Sequence, residues 1–129
     1  MNRPKYADFK KNVLDKVSPS LCAAKWQDAT IWLYSGQTVS CHHPLSHKIS
    51  EAEIELNPSA LHNTTQKKAA RLEMQQGKRP AECSYCWKIE DLPQESISDR
   101  VFKSVAYDYS QLMALKERDH RDRINPERL

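Results

Sequence analysis

Apolar positions along residues 4–17 recur at spacings of three and four, with Tyr6, Phe9, Val13 and Val17 on one stripe. This predicts an amphipathic helix that ends before Ser18-Pro19. The pattern then changes period. The run Thr30, Ile31, Trp32, Leu33 and Tyr34 is β-branched and aromatic, Ser35-Gly36 supplies a turn, and Thr38-Val39 resumes extended character. Residues 28–41 therefore read as a β-hairpin with Gly36 at its turn. It runs into Cys41-His42-His43-Pro44, where proline has no donor for regular pairing, so the loop through His47 is expected to be irregular.

Ser50 followed by Glu53 is a capping-box pattern for a short helix stopped at Asn57-Pro58. Asn63 or Thr64 can cap a second helix carrying Ala69, Ala70, Leu72 and Met74 and closed by Gly77. Lys67, Lys68 and Arg71 are read as its solvated face, continued by Lys78 and Arg79. After Pro80, Cys83-Ser84-Tyr85-Cys86 forms a knuckle-like turn. It leads into a short helix over residues 87–91 that breaks at Pro93, with Trp87 placed to shield a neighbouring site. Ser98 can cap a long C-terminal helix with Val101, Val105, Leu112 and Leu115 on its apolar side. Glu117 with Arg121 and Asp119 with Arg123 are favourable pairs four apart on its exposed last turns. The expected fold class is α+β: a small β-hairpin packed with several helices around a Cys-rich metal site.

Composition narrows what such a chain does. Its 129 residues suit one domain, residues 1–129, and with 39% hydrophobic and 29% charged residues the core is expected to be thin. Small domains of this kind commonly recruit a disulfide or a metal. No apolar stretch approaches the length of a membrane helix, and Met1-Asn2-Arg3-Pro4-Lys5 is not followed by a signal-peptide core, so a cytoplasmic location is expected. In that reducing compartment four cysteines point to metal ligation rather than disulfides. The formal charge of +3 is mild and interleaved, which gives no argument for nucleic acid. There is no glycine-rich phosphate loop and no nucleophile elbow.

The candidate chemistry lies in Cys22, Cys41, Cys83 and Cys86. The short Cys83-x2-Cys86 turn lets two thiolates face one centre. The arms of the Gly36 hairpin are expected to return Cys22 and Cys41 to the same place. Four thiolates satisfy either a [4Fe-4S] cluster or a tetrahedral Zn2+ site, and ligand count does not separate them. His43 and His47 are alternates as direct ligands, or else neighbours that hydrogen-bond the sulfurs; His42 and His62 are weaker candidates. A His-metal finger nuclease using His42-His43 is a further reading, but no compelling set of further ligands for its catalytic ion follows at readable spacing.

The pattern Cys22-x13-Gly36-x4-Cys41, a gap, then Cys83-x2-Cys86 resembles the auxiliary-cluster signature of the SPASM/twitch domains of radical S-adenosylmethionine proteins. The stretch Leu61-His62-Asn63-Thr64, then Met74-x2-Gly77-x2-Pro80 up to Cys86-Trp87, is similar too, and Ser98-Asp99-Arg100 continues it. The resemblance covers residues 18–104. It implies a hairpin followed by a helix, an auxiliary [4Fe-4S] cluster held by Cys22, Cys41, Cys83 and Cys86, and a reaction carried out elsewhere. The Cys-x3-Cys-x2-Cys motif of the radical core is absent from this chain. A free-standing or shortened accessory domain is therefore expected, not an enzyme on its own, acting with a separate radical S-adenosylmethionine core protein or a peptide substrate. Residues 105–129, a charged helix and tail, take no part in the resemblance. The alternative is a zinc-stapled structural or interaction domain.

Overall fold

The helix expected over residues 4–17 forms, with an irregularity that no periodicity announces. In the computed structural model, which describes residues 3–41, 43–93 and 96–122, α1 (Arg3–Phe9) widens into a π-helical turn at Lys10–Leu14 before closing as α2 (Asp15–Val17). The Asp15 N–H reaches back five residues to the Lys10 carbonyl. The wider turn keeps Leu14 and Val17 in the core and turns the Asp15 carboxylate toward Arg100.

After a loop containing Cys22, the short helix α3 (Ala24–Gln27) leads into a three-stranded antiparallel sheet of β1 (Thr30–Trp32), β2 (Gln37–Val39) and β3 (His47–Lys48). The first two strands are the expected hairpin, in register Thr30 to Val39 and Trp32 to Gln37. Gly36 takes φ +67° at the turn, a conformation that costs glycine nothing. The third strand corrects the reading of residues 41–47 as wholly irregular. Past Pro44 the chain returns antiparallel to β2, with Thr38 opposite His47 and Gln37 opposite Lys48, because the central strand still had an open edge.

Three helices follow. α4 (Glu51–Leu56) starts at Ser50, whose hydroxyl accepts from the Glu53 N–H, and ends at Asn57 as expected. The Glu53 carboxylate does not close the capping box; it accepts instead from the backbone N–H and hydroxyl of Thr65. After a 3-10 turn at Pro58–Leu61, α5 (Thr65–Gln75) is capped by Thr64. It closes in a Schellman arrangement, with Lys78 N–H on the Glu73 carbonyl, Gly77 N–H on the Met74 carbonyl and Gly77 at φ +76°. A 3-10 turn at Ala81–Cys83 then feeds α6 (Ser84–Glu90).

Two expectations fail on α5 and beyond. Lys67 and Arg71 are not a solvated face; both are buried. Lys67 donates to the Thr38 hydroxyl and the His62 carbonyl, and Arg71 to the carbonyls of His120 and Lys25 and to the Asn63 side chain. The long C-terminal helix is two helices, α7 (Asp99–Ser104) and α8 (Tyr109–Glu117). Asp108 breaks the run: its side chain accepts from the Gln111 N–H while Gln111 reaches back to the Asp108 N–H, and this complete capping box starts a new axis. Helix α8 stops at Glu117, so Arg121 pairs with Asp119 instead of Glu117. Arg123 and the tail from Asn125 to Leu129 lie outside the described residues.

The core draws on Leu14 of the π-helical turn, Val17 of α2, Leu21 of the loop before α3, Trp26 of α3, Met74 of α5, Trp87 of α6, Val101 of α7 and Leu112 of α8, and all four cysteines belong to it or pack against it. The architecture is α+β, with helices dominating a small antiparallel sheet. Among the described residues no helix is long and apolar enough to cross a membrane.

Candidate metal centre

Cys22, Cys41, Cys83 and Cys86 line one cavity. They reach it from three places in the fold. Cys22 lies in the loop two residues ahead of α3, not on an arm of the hairpin; Cys41 lies two residues beyond β2. Cys83 ends the 3-10 turn, and Cys86 sits in the first turn of α6. The hairpin therefore delivers only Cys41, and the packing of α3 against α5 and α7 delivers Cys22. No disulfide joins any two of them.

The four thiols differ in surroundings. Cys22, Cys83 and Cys86 are buried, and Cys41 is half-buried. Burial pushes the Cys22 thiol up to about 12, against the opposing pull of the Ala24 N–H on its sulfur. Burial likewise raises Cys83 to about 11, opposed by the Lys25 ammonium. Cys86 is also raised by burial, opposed by the backbone N–H of Arg100. The shift is opposite to the depressed thiol pKa of a thioredoxin-type dithiol. Backbone N–H groups aimed at two of the sulfurs are the support that metal-bound thiolates use.

Around the thiols the wall carries charge. Lys25, in the first turn of α3, is 3% exposed, and its Nζ stands 3.2 Å from Glu82 Oε2. Nζ is thus ion-paired with Glu82, and the Cys83 sulfur lies beside it on the same cavity wall. Arg100 is held on every side: Nε meets Glu90 at 2.8 Å, Nη2 meets Asp15 at 2.5 Å and Nη1 donates to the Leu21 carbonyl at 2.8 Å. Lys103 is paired with Asp28 at 3.3 Å. Trp87 closes part of the wall, its indole N–H on the Pro80 carbonyl and the Arg79 guanidinium over its ring at 5.0 Å.

The histidines separate. His43 lines the cavity, with Nε2 2.7 Å from Asp99 Oδ2 and its ring stacked on Tyr85 at 4.0 Å. His47 does not line it; on β3, its Nε2 is 2.7 Å from the Thr64 hydroxyl. His62 is also outside the lining, and its backbone carbonyl accepts from Lys67. His42 lies outside the described residues.

The enclosed space is small, about 20 Å³, room for roughly one water. No group of three or more His, Cys, Asp or Glu among the described residues is arranged to hold a metal ion. The donor atoms that do line the cavity are all sulfur apart from His43 and Asp99, and Lys25 and Arg100 are buried beside them.

Sequence reasoning missed Lys25, Asp99 as the partner of His43, and the locked Arg100. The signal for Lys25 was available: it is the one charged residue in the run Leu21, Cys22, Ala23, Ala24, Lys25, Trp26, and a cation inside an apolar run is carried into the core with it. No family model matches this chain, and no curated protein and no solved structure matches it.

Proposed function

We propose that this protein is a metal-binding accessory module that carries an auxiliary [4Fe-4S] cluster on Cys22, Cys41, Cys83 and Cys86. It would act beside a separate catalytic partner, a radical S-adenosylmethionine core protein, or present a peptide substrate to one. The observation that carries this reading is the meeting of four cysteines, from three separate parts of the fold, on one cavity. The resemblance of their spacing to the SPASM/twitch signature supplies the kind of centre and the kind of partner.

A cluster bound there would supply one-electron transfer. The chain's own residues hold and shield it: Cys22, Cys83 and Cys86 from the buried side, Cys41 from the half-buried side, and Trp87 against water. The N–H groups of Ala24 and Arg100 oppose the rise that burial gives the Cys22 and Cys86 thiols. A four-iron cluster takes one thiolate at each iron and spreads the sulfurs, whereas zinc draws all four to about 2.3 Å from one ion.

A second reading, a zinc-stapled structural or interaction domain, is favoured by the small volume of the cavity. Metal analysis and an absorption spectrum on protein made and purified without oxygen distinguish the two. The cluster reading expects about four irons per chain and broad visible absorbance. A colourless preparation with about one zinc per chain assigns the site to the staple. A chain that takes up neither metal overturns both.

A further inference from the structure

Burying an ammonium is costly unless an anion answers it, and the groups beside Lys25 are the Glu82 carboxylate and the cysteine sulfurs of the cavity. It sits within the core run that ends in Trp26, and its carbonyl is held by Arg71 at 3.2 Å, so α3 has little freedom to carry the side chain out. Glu82, its carboxylate partner at 3.2 Å, is the more exposed of the pair. The other cations on the cavity wall are engaged elsewhere, Arg100 by Glu90 and Asp15 and Lys103 by Asp28. Lys25 faces the sulfurs of Cys83 and Cys22, both close enough for their charges to act on it.

Four thiolates bring more negative charge than a divalent ion or a cluster core offsets, so a loaded site is anionic, and one-electron reduction makes it more so. We propose that Lys25 is the fixed counter-cation of the four-cysteine site, a positioning residue whose ammonium balances the loaded thiolates and raises the reduction potential of the cluster they hold. Glu82, beside it, works in the opposite sense. This inference rests on the cluster reading above. It adds to that reading the residue that sets the potential.

The test is anaerobic reconstitution of the full chain with iron and sulfide, as wild type, Lys25→Met, Lys25→Arg and Glu82→Gln, with iron counted per chain and the midpoint potential measured by redox titration. Lys25→Met should shift the reduction equilibrium at least tenfold toward the oxidised form, a fall of about 59 mV for a one-electron couple. Lys25→Arg, which keeps the charge, should stay near wild type, and Glu82→Gln should move the potential upward. Should Lys25→Met not fold, Glu82→Gln still decides: an upward shift supports the assignment, and an unmoved potential overturns it. Loaded variants with wild-type potentials overturn the role of Lys25 alone. A wild-type chain that takes up no iron overturns the cluster reading, and this assignment with it.

Discussion

The Arg100 guanidinium and the Glu90 carboxylate meet at 2.8 Å with side chains only 1% and 3% exposed, joining the start of α7 to the end of α6 inside the protein. Asp15 from α2 and the Leu21 carbonyl complete the cation's shell. One residue therefore ties the first helix, the loop before Cys22 and the Cys86 helix together.

Arg100→Met should destabilise the fold by about 3 kcal/mol, since it leaves the Glu90 carboxylate buried with only the Ser98 hydroxyl and, at 3.9 Å, the Lys10 ammonium beside it. Urea unfolding measures this. The double variant Arg100→Met/Glu90→Leu should recover a large part of the loss, because removing both charges relieves the unpaired one. A single variant as stable as wild type would mean that the pair contributes nothing.

The end of α8 and the segment after it are latched to α5 and to Asn63 just ahead of it by side chains that grip backbone carbonyls. Gln75 Nε2 donates to Leu115 and Arg118, Arg71 to His120, and Asn63 to Arg121. Gln75→Ala should cost roughly 1–2 kcal/mol and Arg71→Met about 2–3 kcal/mol, the latter more because a charged donor is lost. Hydrogen exchange should rise over residues 115–121 in both variants while the sheet stays protected.

His47 should make the protein less stable in mild acid. Burial is the main cause that lowers its pKa from 6.5, helped by the nearby Lys67 and Lys25 charges and opposed by Glu82 and Glu53. Its Nδ1 has no acceptor among the described residues for the proton it would gain. The unfolded chain therefore binds that proton more readily, so the contribution of His47 is full above pH 6.5 and is lost as pH falls below it. His47→Gln should flatten the fall in Tm between pH 7.5 and pH 5.5 relative to wild type. Parallel pH dependence in the two proteins would exclude His47 as the source.

Cys83→Ala and Cys41→Ala should each lose bound metal, and Cys83→Ala should lose more stability, because its partner thiols are left facing a hole in the core whereas Cys41 is half-buried. Metal content and thermal unfolding of the two variants check this. A variant that keeps its full metal content is not missing a ligand.

What the sequence by itself determined is what depends on neighbours along the chain. Apolar spacing marked α1 and the α5 helix, Ser50 and Thr64 marked helix starts, and Gly36 and Gly77 marked places where the backbone must turn through positive φ. These follow from sterics and local hydrogen bonds, which act over a few residues. The Asp108 capping box is equally local, but the apolar positions on either side continue a helical period and mask it. Tertiary structure alone decided the rest. Lys67 and Arg71 carry the same charge as Lys68, and the partners at Thr38 and His120, distant in sequence, draw them inside. Third-strand pairing at His47 needed the open edge of β2, and the place of Cys22 needed the packing of α3 against helices some forty and seventy-five residues later. Spacing could name the four cysteines; the environment that surrounds them, with Lys25 buried on one side and His43 held by Asp99 on the other, comes from contacts that no local pattern encodes.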